Sequence, residues 1–90
     1  DNQELPIPPA SFELLVFSLR MQAEQSLGLL RMPGEDANEK PEVNVALARH
    51  AIDMLAVIEE KTRGNLSMEE KRLIENTLTE LRFRVIQAGN

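Results

Sequence analysis

The sequence predicts an all-α protein of three helices, spanning about residues 11–31, 44–62 and 68–87, in a bundle completed by oligomerisation. Three observations carry that reading. Apolar residues recur three and four apart along each stretch, the period of a helix that buries one face. Between the second and third stretches lies Lys61-Thr62-Arg63-Gly64-Asn65-Leu66-Ser67-Met68-Glu69-Glu70, which ends one helix and starts another within a few residues. The first two helices are also apolar on more sides than a three-helix core can cover.

Residues 1–10 read as an extended lead-in, because Pro6, Pro8 and Pro9 bar a helix and hold the residues before them extended. Residues 11–88 then form a single helical domain. Helix one starts at Ser11, an N-cap, and continues to Leu30 or Arg31. Phe12, Leu15, Val16, Leu19, Ala23, Leu27 and Leu30 make its main stripe, while Leu14, Phe17 and Met21 form a second apolar face with Gly28 below them. Residues 32–43 are the longest connector, a solvated loop with Pro33-Gly34 as a turn signal.

Helix two takes Asn44 as N-cap, with Val43 packing back on Ala48 as a staple. Leu47, Ala48, Ala51, Ile52, Met54, Leu55 and Ile58 form its arc, and Ala56 and Val57 widen it. Arg49, Asp53 and Glu60 occupy the narrow polar strip, with Arg49 and Asp53 spaced to pair. Gly64 suits a left-handed stop, assisted by Lys61 and Arg63 at the negative end of the helix dipole. Leu66 plugs into the core between the helices. Ser67 and Glu70 then make a capping box for helix three, whose stripe is Leu73, Ile74, Thr77, Leu78, Leu81 and Val85, with Gly89 as a stop. The helix-turn motif is thus Lys61, Gly64, Asn65, Leu66, Ser67 and Glu70, and its role is architectural.

Ninety residues make one small domain, and a chain of this size buries only about 60 % of its unfolded surface. Without cysteine, neither disulfides nor thiolate-bound zinc strengthen the core, which leaves association as the route to stability. A net charge of −5 opposes general phosphate binding, and a helix three that begins Met68-Glu69-Glu70 would meet DNA with two carboxylates. No nucleic-acid partner is expected. Leu14-Leu15-Val16-Phe17 is too short to span a bilayer, and the acidic, proline-rich start lacks the layout of a secretory leader, so a cytoplasmic location without membrane contact is expected.

No catalytic constellation emerges. His50 is the one histidine, and its nearest partner in sequence, Asp53, points to the polar strip. Paired Glu-x-x-His ligands, phosphate loops and nucleophile elbows are all missing, so no catalytic, metal or cofactor-binding residue is assigned.

Phe12 with Leu15 and Leu19, Ser26-Leu27-Gly28, Asn44 with Leu47-Ala48, Ala51-Ile52-Asp53-Met54-Leu55, the segment Lys61 to Glu70, and Leu81-Arg82 together resemble the proteins grouped as domain of unknown function 1844. The resemblance covers about Phe12 to Val85 and implies a small, bacterial, all-helical protein. It carries no activity and no site residues.

Two functional expectations follow from the residues. The first is a non-enzymatic structural or protein-interaction module, a homodimer or the dock for a protein partner, with Leu14, Phe17, Met21 and Val57 as the interface. The second is a small-ligand-binding protein or enzyme with a pocket near His50 and the Gly64 turn.

Overall fold

The computed structural model describes residues 6–30 and 42–89, which form α1 (Phe12–Ser26), α2 (Val45–Lys61) and α3 (Met68–Gly89). No strand occurs among the described residues. Most of the connector expected at 32–43 lies outside them, as do positions 1–5 of the lead-in. Residues 6–10 are non-helical and exposed, as their prolines require.

Each helix starts on a side-chain cap that replaces hydrogen bonds its first turn cannot make. Ser11 Oγ accepts from the Leu14 amide at 3.0 Å, and Asn44 Oδ1 accepts from the Leu47 amide at 3.0 Å. At α3 the exchange is reciprocal. The Ser67 amide donates to Glu70 Oε1 at 2.9 Å and the Glu70 amide donates to Ser67 Oγ at 3.1 Å, a complete capping box.

The helix ends show where local reading fell short. α1 stops at Ser26, more than a turn before the boundary expected near residue 31. Gly28 adopts φ 77°, its amide donates to the Gln25 carbonyl at 3.0 Å, and the Leu29 amide reaches back to the Glu24 carbonyl at 2.8 Å. This pair of bonds around a left-handed glycine is a Schellman stop, so Gly28 terminates α1 instead of lying within it. α2 ends as expected at Lys61, with the Thr62 hydroxyl donating to the Ile58 carbonyl at 2.7 Å. A turn follows in which the Asn65 amide donates to the Thr62 carbonyl at 2.9 Å and Gly64 takes φ 87°. At the far end, α3 includes Gly89, so Arg82 and Arg84 sit before its last turn rather than at its terminus.

The three helices pack pairwise, most extensively α1 on α2. The Asn44 amide donates to the Ser26 carbonyl at 2.7 Å, which ties the start of α2 to the end of α1 and sets the two antiparallel. Ala23 of α1 and Ala48 and Ala51 of α2 are buried in the shared core. Val16, Leu27, Ile52, Leu55, Ile74, Leu78, Leu81 and Val85 complete the core, and Leu66 packs against it from the turn. Full burial of a side chain such as Leu55 or Leu78 is worth about 1.5–3 kcal/mol.

Three members of the expected stripes are not covered. Leu15, Leu47 and Met54 are all exposed, and Val43, expected to pack back on Ala48, is 52 % exposed. A helix in a three-membered bundle turns only part of its circumference to its neighbours. Apolar arcs wider than that sector leave their edges outside.

Candidate interaction surface

α1 carries its charges on one edge. Glu13, Arg20 and Glu24 are separated by seven and four residues, which aligns them along the helix. That edge faces α3. Arg20 Nε bonds Glu24 Oε2 at 2.9 Å and its Nη2 reaches Glu80 Oε1 of α3 at 3.2 Å, while Arg84 Nη2 lies 3.5 Å from Glu80 Oε2. The guanidinium of Arg20 is held above its ordinary value, first by the hydrogen bond to Glu24 and against the pull of burial, then by the charges of Glu24 and Glu80. The i, i+4 spacings of Arg20 with Glu24 and of Glu80 with Arg84 can be read in the sequence, but the link that joins the two helices cannot, because Arg20 and Glu80 are 60 residues apart.

With the charges gathered there, the rest of the outer surface of α1 is uncharged. It begins with Phe17 and Met21, 54 % and 38 % exposed, passes Leu14, which is half-buried, and reaches Leu15, 46 % exposed, on the side that adjoins α2. Ser11, Ser18 and Gln22 fill the spaces between them. A solvent-facing helix surface ordinarily carries its charged residues there.

The same character continues across the seam. α2 turns Arg49, Ile52 and Asp53 towards α3, since these three line a groove with Arg82, Val85 and Ile86. The opposite side of α2, next to α1, presents Leu47, His50, Met54, Val57 and Lys61 at spacings of three and four. Leu47, Met54 and Val57 are 57 %, 43 % and 50 % exposed. The residues first grouped as an interface, Leu14, Phe17, Met21 and Val57, therefore lie at the two margins of one broad face. Leu15, Leu47 and Met54, which sequence reasoning assigned to the core, occupy its middle. Among the residues of α1 and α2 the middle of this face holds no carboxylate; Glu13 and Glu24 border it beside Phe17 and Met21, and Asp53 and Glu60 border it beside Val57.

The other candidate groups are dispersed. The turn residues Ser67 and Glu70 are engaged in the cap, and Asn65 in the turn by its amide. Lys61 is exposed at the end of the α2 row. His50 is exposed and does not line the α2–α3 groove, which lies at the opposite end of that helix pair from Gly64. The groove is open, about 520 Å³, with an aliphatic floor of Ile52 and Val85 and with Arg49, Asp53 and Arg82 at its edge. Arg49 and Asp53 are not among the ion pairs of the described residues. Instead Arg49 Nη2 lies 3.9 Å from where a Gly89 side chain would begin, at the negative end of α3.

Among the described residues no group of three or more histidines, cysteines and carboxylates is placed to hold a metal ion, and no helix is long and apolar enough to cross a membrane. No curated protein and no solved structure matches the chain. One family does match: the chain belongs to the one described as a domain of unknown function (DUF1844), which it matches over residues 9–87.

Proposed function

We propose that this protein is a homo-oligomeric structural or protein-interaction module, a dimer first, rather than an enzyme. The observation that supports it is the uncharged face of α1 and α2, where large apolar side chains stand half in water. Full burial of such a side chain is worth about 1.5–3 kcal/mol, so Leu15, Phe17, Met21, Leu47 and Met54 each retain about 1 kcal/mol to be gained. That is about 5 kcal/mol from one protomer and about 10 from two, against an association cost of about 4–15 kcal/mol. The surplus is at most about 6 kcal/mol, so self-association is expected no tighter than tens of micromolar, about 10–100 μM.

Sedimentation velocity or light scattering over a concentration series tests the reading. The parent chain should grow in mass with concentration, and Phe17→Glu should weaken assembly while circular dichroism shows its helicity retained. A chain that stays monomeric at the highest attainable concentration refutes it.

The α2–α3 groove favours a second reading, a small-ligand site. Two guanidinium groups beside an aliphatic floor suit a ligand that joins a carboxylate to a hydrocarbon portion. Stabilisation in a thermal-shift series by fatty or branched-chain carboxylates, lost in Arg82→Gln, would carry it.

A further inference from the structure

We infer that the occupant of the uncharged α1–α2 face is a second copy of this chain, docked so that the face pairs with itself about a two-fold axis. The inference rests on the self-association reading above and names the surface and the partner. What carries it is the segregation of charge. The chain has a net charge of −5, yet the exposed carboxylates of the three helices stay off the middle of this face: Glu13 on the α3 edge of α1, Asp53 and Glu60 on the polar strip of α2, and Glu69 and Glu75 on α3, with Glu42 ahead of α2.

A basic partner would be drawn to those carboxylates, and a surface evolved for it would keep them. A partner of the same negative charge imposes the reverse condition, because like charges set opposite one another oppose docking. The chain itself is such a partner. In a two-fold contact each patch meets its own copy, so any carboxylate on it would face a second set of carboxylates. The middle of the α1–α2 face meets that condition among the described residues: Ser11, Ser18, Gln22 and His50 supply its polar groups, and Lys61 lies at one end of the α2 row. Depletion of charge at the centre, with ionised groups kept to the margin, is also the composition of a protein–protein interface core.

The test is the dissociation constant of the full chain by sedimentation equilibrium, with salt and single substitutions as the variables. Raising sodium chloride from about 0.05 to about 0.5 M should tighten the dimer, because screening removes the net repulsion while the contact itself holds no ion pairs to weaken. Met54→Glu should raise the dissociation constant about 100-fold, since each dimer contains the change twice, and Met54→Leu should leave it near the parent value. Ser18→Glu adds a carboxylate to the middle of the face at an exposed position outside the core, so it weakens dimerisation without threatening the fold. Ile86→Glu, on the far side of the bundle, should leave the constant unchanged.

A dimer that survives Met54→Glu and Ser18→Glu, that is broken by Ile86→Glu, or that loosens as salt rises overturns this inference while leaving the oligomeric reading intact. A chain that is monomeric throughout overturns both.

Discussion

Replacing Gly64 with alanine isolates the cost of one backbone conformation. Gly64 holds φ 87°, and a methyl group added there would meet no atom within 4 Å, so packing adds nothing to the penalty. The left-handed conformation costs a residue with a side chain about 1–2 kcal/mol. Alanine also stiffens the unfolded chain and returns about 0.4–1 kcal/mol, which leaves a net loss of about 1 kcal/mol. In urea that loss appears as a lower midpoint at unchanged slope, and on heating as a fall of about 4–8 °C for a chain of this size. Parent and variant must be compared at one protein concentration, because assembly adds to apparent stability. Asparagine tolerates the left-handed region better than alanine, so Gly64→Asn should lose less. A neutral or stabilising Gly64→Ala, or an asparagine variant as costly as the alanine one, would refute the argument.

Other outcomes follow from the same structure. Ser67→Ala should cost about 1 kcal/mol by urea unfolding, and a double-mutant cycle with Glu70→Ala should show coupling, since each side chain satisfies the other's amide. Arg20→Gln should cost about 0.5–1 kcal/mol, falling as salt rises, because the Arg20–Glu24–Glu80 network is partly exposed. Since Arg20 is raised from an already alkaline value, its charge contributes fully at every pH below that value and is lost only as pH rises through the raised one, so an Arg20-linked change in stability near neutrality would contradict the network. Leu55→Ala removes a side chain with no solvent exposure and should cost about 3–5 kcal/mol, enough to populate unfolded chain visibly by circular dichroism.

The exposed apolar face was legible in part. Phe17, Met21 and Val57 were found because their helical positions lie off the main stripes, and all of them are exposed. Leu15, Leu47 and Met54 escaped because periodicity records which residues share a side of a helix, not how much of that side a neighbour covers. The carboxylate-free character of the middle of the face became visible only after Arg20 and Glu24 were seen to turn towards α3. Until then the charges of α1 had no reference direction.

By itself the sequence determined the three helices, their caps and the turn at Gly64, because each depends on hydrogen bonds that close within five residues, between groups whose identities can be read off. It held the signal for the stop at Gly28 as well, but a glycine inside an apolar period is ambiguous until its backbone angle is known. Tertiary structure alone decided which part of each apolar arc is covered, which side of α1 faces α3, and that Arg49 lies by the end of α3 rather than pairing with Asp53. Those outcomes depend on contacts between residues far apart in the chain, whose geometry is set by how the side chains of three helices pack into one core.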